Sequence, residues 1–298
     1  MAARKHWQKV LGAAVLVSLP FVVSADGEPE AVVYDRERGE LSPGTQAPST
    51  AEMLGAIDDA SPRGLTAMLE YGERVECMAC IPRLEAKLLN SDSAEVREIS
   101  AWWLRRRPFG YARAAVKMRS TLQDSSNETH RARAAEALGE FLDPGGAPAL
   151  TQAVSDDAAP EVRLAAVRAL GRLNARAGYA ALVTAFQDDV PEIRRAALDQ
   201  VLRVRFFQEH VAIIDRLDDD AADVRIRAAQ IIGQMQIQAG REGLEAILAS
   251  DDSVPARQAA AWSLGRLGNA RPALIAAQES ETNDRVLDAI KVALGMVR

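Results

Sequence analysis

The sequence predicts an all-α fold, an α-solenoid of about seven to eight stacked two-helix repeats, on three observations. Apolar residues reach 48% of the 298 residues while aromatics reach only 5%. Ala, Arg and Leu dominate, which are strong helix formers, whereas sheets lean on β-branched and aromatic side chains. One segment also recurs: residues 156–166 read DDAAPEVRLAA and residues 188–197 read DDVPEIRRAA, with further copies at 219–229 and 251–260. Finally, the Arg of that segment falls at Arg97, Arg131, Arg163, Arg194, Arg225 and Arg257, in steps of 34, 32, 31, 31 and 32. A fixed period in this range is the mark of a stacked array. Length alone, at about 150 residues per domain, would have suggested two domains. The repeat makes residues 51–298 a single solenoid instead.

The N-terminus reads as an address. Arg4, Lys5 and Lys9 give a basic start, an apolar stretch follows over 10–23, and Val23-Ser24-Ala25 offers a small-residue cleavage site. This order predicts a secretory signal peptide over residues 1–25, with Asp26 as the first mature residue. The apolar stretch of about 14 residues contains Pro20 and falls short of the roughly 20 needed to span a bilayer. Cleavage would remove three cations and take the formal charge from -6 to near -9. The Ala- and Arg-rich usage has a bacterial character, so the expected location is the periplasm or beyond. Residues 26–50, rich in Pro, Gly and acids without apolar period, read as a flexible leader.

Each repeat reads as two helices joined by an acidic turn. The first is short and amphipathic, as in residues 180–186. The turn's Asp or Ser is placed to cap the second helix, and Pro160 and Pro191 sit near its start. Ala or branched residues three, four and seven positions after the Arg share one face and form the core. Gly139, Gly171, Gly233 and Gly265 follow the last of these, where a helix can end on a left-handed residue. At the two ends Gly64 and Leu287 stand in the Arg position, as expected of capping units.

The pattern Asp-Asp-x-x-Pro-Glu-Val-Arg-x-x-Ala-Ala-x-x-x-Leu-Gly, clearest over 156–171 and 188–202, resembles HEAT repeats of the short bacterial type named for phycobilisome lyases. The resemblance covers about four fifths of the chain. It implies a scaffold or adaptor more than an activity, since function on a shared fold resides in grafted sites. It also implies that the repeated Arg and the Asp six residues before it form a structural ladder linking neighbouring units. In α-solenoids of this kind the second helices line the concave wall. Positions two, five and nine after the Arg form that row here.

Along the row, Trp102 and Trp262 share a column and Arg106, Arg168, Arg172, Arg203 and Arg266 add cations. Large aromatics and Arg are common interface anchors. These seven residues are the candidate partner-binding set, for another protein of the cell envelope bearing an acidic or extended segment. Residues 102–111, with two adjacent Trp, read either as an interaction hot spot or as aromatic packing. Cys77 and Cys80 in an exported chain predict a disulfide; a redox or chaperone-like role for the pair is the alternative function. A lyase or ligand carrier of the phycobilisome type is the other alternative. Ile81 in place of His argues against covalent haem attachment.

Other classes fit poorly. The net acidic charge and absence of a long basic run argue against nucleic acid. Three His, with no nucleophile, phosphate-loop or zinc signature, supply no catalytic residues, metal ligands or cofactor site. The sequence therefore reads as a non-catalytic, exported protein-binding scaffold or assembly factor, without stable membrane insertion after cleavage.

Overall fold

The structure is a computed structural model that describes residues 32–35, 40–43, 47–204 and 207–297. The expected signal peptide lies outside the described residues. Within the stretch read as a leader, β1 (Val32–Asp35) pairs antiparallel with β2 (Glu40–Pro43), Val32 opposite Pro43 and Asp35 opposite Glu40. Sixteen α-helices follow among the described residues, in eight consecutive pairs. The pairs are α1 (Thr50–Asp59) with α2 (Pro62–Tyr71), α3 (Cys80–Asn90) with α4 (Ala94–Arg105), α5 (Pro108–Asp124) with α6 (Glu128–Phe141) and α7 (Ala147–Asp156) with α8 (Pro160–Leu173). Then come α9 (Tyr179–Ala185) with α10 (Pro191–Val201), α11 (His210–Ile214) with α12 (Ala222–Met235), α13 (Arg241–Ser250) with α14 (Val254–Leu267) and α15 (Arg271–Ser280) with α16 (Asp284–Met296). None of these helices is long and apolar enough to cross a membrane.

One continuous core runs the length of the stack, because neither helix of a pair can bury its apolar stripe alone. Its repeated element is the Ala pair of each second helix: Ala134 and Ala135, Ala165 and Ala166, Ala196 and Ala197, Ala228 and Ala229, Ala259 and Ala260 are all buried. Such small side chains let consecutive second helices pack closely, α6 on α8, α12 on α14 and α14 on α16.

The glycines serve that same approach and do not end the helices. Gly139, Gly171, Gly233 and Gly265 lie inside their helices, and the left-handed residues come three positions later at Leu142, Asn174, Gln236 and Gly268. A Cβ on Gly139 would stand 2.9 Å from Ala169 Cα, and one on Gly265 would stand 2.8 Å from Ala293 Cα. The sequence reading placed the Gly at the helix end because its conformational freedom is the commoner reason for it. Here helix-to-helix distance decides.

The acidic turns also act differently from simple caps. Asp157, Asp188, Asp219 and Asp251 each accept the backbone N–H two residues on, folding the turn. Only the units with Ser93, Asn127 or Ser253 have a side-chain cap on a second helix in the middle of the stack. Pro160 and Pro191 occupy the first helical turn as expected.

Each repeated Arg bridges two units. Its Nη1 donates to the carbonyl six residues upstream in its own unit, as Arg194 does to Asp188 O at 2.8 Å. Its other nitrogens clasp the carboxylate of the next unit, Arg194 to Asp219 at 2.8 and 2.7 Å. The same pairing joins Arg131 to Asp157, Arg163 to Asp188 and Arg225 to Asp251. At the C-terminal end Glu281 replaces Asp as acceptor for Arg257. The ladder expected from the resemblance is thus present, with the carboxylate partner supplied by the following unit. Arg97 departs from it, donating to Glu136 Oε2 at 3.0 Å, because residue 125, where the next Asp would stand, is Ser.

The register loosens once. At the position after Val201 where four units carry Gly and the first carries Arg105, this one carries Leu202, α10 ends at Val201, and the following first helix is only five residues long.

Candidate functional site

The wall is built from the outward side of the second helices. Positions five and nine after the ladder Arg are about one turn apart on the same side. They place Trp102 on α4 with Arg106 just after it, Glu136 and Glu140 on α6, Arg168 and Arg172 on α8, and Asp199 on α10 with Arg203 just after it. Gln230 and Gln234 on α12, then Trp262 and Arg266 on α14, continue the row. The position two after the Arg contributes less than the sequence reading assumed. Ile99, Ala165, Ala196 and Ala259 are buried between neighbouring helices, and only Arg133 and Arg227 reach out from that column.

Grooves follow this wall. One is lined by Arg97, Glu136, Glu140, Leu164, Arg168 and Arg172, among others. The next is lined by Arg168, Arg172, Asp199, Gln200, Leu202, Arg203 and Arg227. Arg168, Arg172 and Arg203, three of the seven candidates, therefore converge. Trp102 with Arg106 and Trp262 with Arg266 lie in units further along the stack, on opposite sides of these grooves.

The two Trp columns are constructed alike. Each indole is half-buried and carries the guanidinium of the Arg four residues on, Arg106 at 4.0 Å and Arg266 at 5.5 Å from the ring centroid. Stacking of this kind fixes a ring while leaving its edge to solvent.

Charge is distributed unevenly. In the N-terminal half the cations are matched: Arg97 to Glu136 at 3.0 Å, Arg133 to Asp92 at 2.7 Å, Arg106 to Glu73 at 3.1 Å and Arg172 to Glu140. Further along, Arg168 meets Glu192 at 3.4 Å and Arg227 meets Asp199 at 2.6 Å. Arg203 is exposed and has no ion-pair partner among the described residues.

The segment around Trp102 and Trp103 divides between the two readings given to it. Trp103 is fully buried and donates from Nε1 to Gly72 O at 3.2 Å. Arg107 is also buried, stacks on Trp103 at 4.0 Å and donates to the carbonyls of Gly72, Glu73 and Val75. Burial pushes its pKa down to about 10, against the opposing pull of Glu76 and Glu73. Trp103 and Arg107 therefore pin the 72–75 loop to the first full repeat, and Trp102 is the one that faces out. A column reading would have separated them. The position six after the ladder Arg is buried in all six units, at Trp103, Ala137, Ala169, Gln200, Ile231 and Ser263.

Cys77 and Cys80 form a disulfide with both residues buried at the start of α3. It closes the same connector that Arg107 holds. Among the described residues no three His, Cys, Asp or Glu side chains converge as a metal-binding group, and His130 and His210 lie on separate helices, α6 and α11.

A family model described as HEAT repeats matches residues 81–157, 115–203 and 211–295. The chain belongs to the HEAT-repeat family. Among solved structures, YibA of Escherichia coli shares 16% identity, with 82% of this chain and 92% of that one covered at a TM-score of 0.54. A Kap95p structure, from a study of its binding to RanGDP, aligns at 13% identity over 83% of this chain and 39% of that one, TM-score 0.59. The CpcE–CpcF phycocyanin lyase of Nostoc aligns at 20% identity over 73% and 94%, TM-score 0.41. The sequence matches no curated protein. The family match bears out the HEAT resemblance, and the likenesses to YibA and Kap95p agree with the all-α solenoid fold expected from the sequence.

Proposed function

We propose that this chain is an exported, non-catalytic scaffold or assembly factor that binds another protein along its second-helix wall. The observation that carries this reading is the repetition of one half-buried Trp–Arg pair, Trp102 with Arg106 and Trp262 with Arg266, in the same column of two distant repeats. Half-buried aromatic rings braced by guanidinium groups are the kind of anchor that dominates interface energetics. The wall is also preformed, since the ladder and the Ala core hold each helix in place, so docking orders little chain.

HEAT-family membership supports the same direction, as repeats of this kind offer extended binding surfaces. Export rests on the character of residues 1–25 and agrees with a closed disulfide at Cys77 and Cys80. Burial of both sulfurs favours a structural staple over a redox pair, because exchange requires an accessible sulfur.

The double substitution Trp102→Ala with Trp262→Ala tests this reading in affinity capture from the native envelope with quantitative mass spectrometry. The expected result is loss of one reproducible partner by about 30-fold or more, the effect of removing a hot spot worth about 2 kcal/mol, with far-UV helicity unchanged. Recovery of every partner at wild-type yield would contradict it. Export is tested separately by the N-terminus of the protein isolated from its native cells, expected to begin at Asp26.

A further inference from the structure

The wall changes character along the stack. Its first half offers matched charges: Arg97, Arg133 and Arg172 against Glu136, Asp92 and Glu140. From α8 to α14 the outward positions are Arg168, Arg172, Asp199, Arg203, Arg227, Gln230, Gln234, Trp262 and Arg266. With Arg172 held by Glu140 and Arg227 by Asp199, Arg168, Arg203 and Arg266 remain in excess on that row. Asp199 and Leu202 stand beside Arg203 in a groove otherwise lined by Arg168, Arg172, Gln200 and Arg227.

We infer that the wall from α8 to α14 is a seat for an extended acidic peptide segment of the partner, with its carboxylates at Arg168 and Arg203, since Arg227 is already held by Asp199 at 2.6 Å. This deepens the proposed function and rests on the second-helix wall being the docking face. Charge complementarity selects the occupant. Arg203 is exposed and unpaired among the described residues, so a carboxylate there displaces only water. Arg168 and Glu192 are 56% and 67% exposed and 3.4 Å apart. A solvent-exposed pair of that kind contributes little to stability, and an incoming carboxylate exchanges with Glu192 at little cost. Guanidinium forks also bind carboxylates in two-point fashion, favouring them over neutral side chains.

The length of the segment follows from the repeat. Neighbouring packed helices lie about 8–10 Å apart, so the three steps from α8 to α14 span roughly 24–30 Å. An extended chain covers about 3.3 Å per residue, which sets the segment at about eight or nine residues. Its last residue would reach Trp262, where the exposed ring edge accepts an apolar or proline side chain. A cationic segment is repelled, and the matched first half of the wall gives no preference for either sign.

Fluorescence anisotropy with a fluorescein-labelled decapeptide of alternating Glu and Ser tests the inference, using the full chain at low salt. The expected result is saturable binding, weakened at least tenfold by Arg203→Glu and by a fourfold rise in salt. The control substitution Arg195→Glu, an exposed Arg on the adjoining helix α10 paired at 3.9 Å with Asp223, should leave it within twofold. A five-residue version and an alternating Lys and Ser peptide should bind at least tenfold more weakly. Absence of binding, or equal loss with Arg195→Glu and Arg203→Glu, overturns the acidic-segment inference. Should partner capture still depend on Trp102 and Trp262 in that case, the docking face stands and only its acidic occupant falls. Concentration-dependent dimerisation in sedimentation, abolished by Arg203→Glu, would also overturn it, by making the acidic turns of a second copy the occupant.

Discussion

Asp219 shows how the repeated ion pair holds two units together. Its carboxylate has 1% of its side-chain surface exposed and is clasped by Arg194, itself 8% exposed, while also accepting the Ala221 N–H. Burial alone would raise its pKa, but the Arg194 and Ala221 hydrogen bonds outweigh this and hold it below the ordinary carboxylate value. The carboxyls of Asp157, Asp188, Asp251 and Glu281 are held low in the same way by their own Arg partners. A group depressed on folding stabilises the native state above its unfolded pKa and loses that contribution as pH falls through the folded value. The thermal midpoint should therefore be flat from neutral pH down to about 5, then drop steeply below about 4. In Asp219→Asn that acid-side drop should be shallower. Removing the side chain is harsher, since Arg194 would keep a buried charge facing only the exposed Asp220. Asp219→Ala should lower stability by about 3 kcal/mol or more, measured by urea denaturation. A loss under 1 kcal/mol would mean that the ladder is decorative.

At the scale of the helix, four second helices, α6, α8, α12 and α14, end in a left-handed residue that differs from unit to unit. Leu142 takes φ of 54° with half of its side chain in solvent. A side chain in that region costs about 1–2 kcal/mol, partly offset by the greater freedom glycine has to lose. Leu142→Gly should stabilise by about 0.5–1 kcal/mol. The interior glycines behave in the opposite sense. Gly265→Ala would improve helix propensity yet press a methyl into Ala293, and overpacking of this kind costs about 1–3 kcal/mol. Differential scanning calorimetry of the two variants should move the midpoint in opposite directions, and a shift of both in one direction would undo this division of roles.

The helices were the legible part of the sequence, because the period of the ladder Arg and the Ala pairs writes each second helix in nearly the same words. What was illegible depended on the neighbouring unit. Whether Gly139 ends its helix or admits Ala169 cannot be seen from α6 alone, and the carboxylate that Arg163 chooses lies 25 residues ahead, not six behind. The candidate site was legible as a column, through Trp102 and Trp262, but not as a charge pattern. Pairing of Arg106 with Glu73 and of Arg172 with Glu140 is a contact between units that no spacing within one repeat announces.

Across the whole molecule, nearest-neighbour linkage makes the solenoid a stiff wall with two differently charged halves. Stability in such an array is shared between adjacent units, so a broken ladder step should loosen its own neighbours first. The N-terminal end is reinforced by a different device, in which Trp103, Arg107 and the Cys77–Cys80 disulfide fasten one connector from three sides. That end needs fastening because α2 lacks a ladder Arg, Gly64 standing in its place.

The central claim is that partners dock on the second-helix wall. Hydrogen–deuterium exchange on the purified complex with the partner recovered by capture tests it most directly. Slowed exchange is expected at the exposed turns and ends of α4, α8, α10, α12 and α14, with the first helices α7, α9, α11, α13 and α15 unchanged. Protection confined to the first helices, or no protection anywhere along the stack, would contradict it.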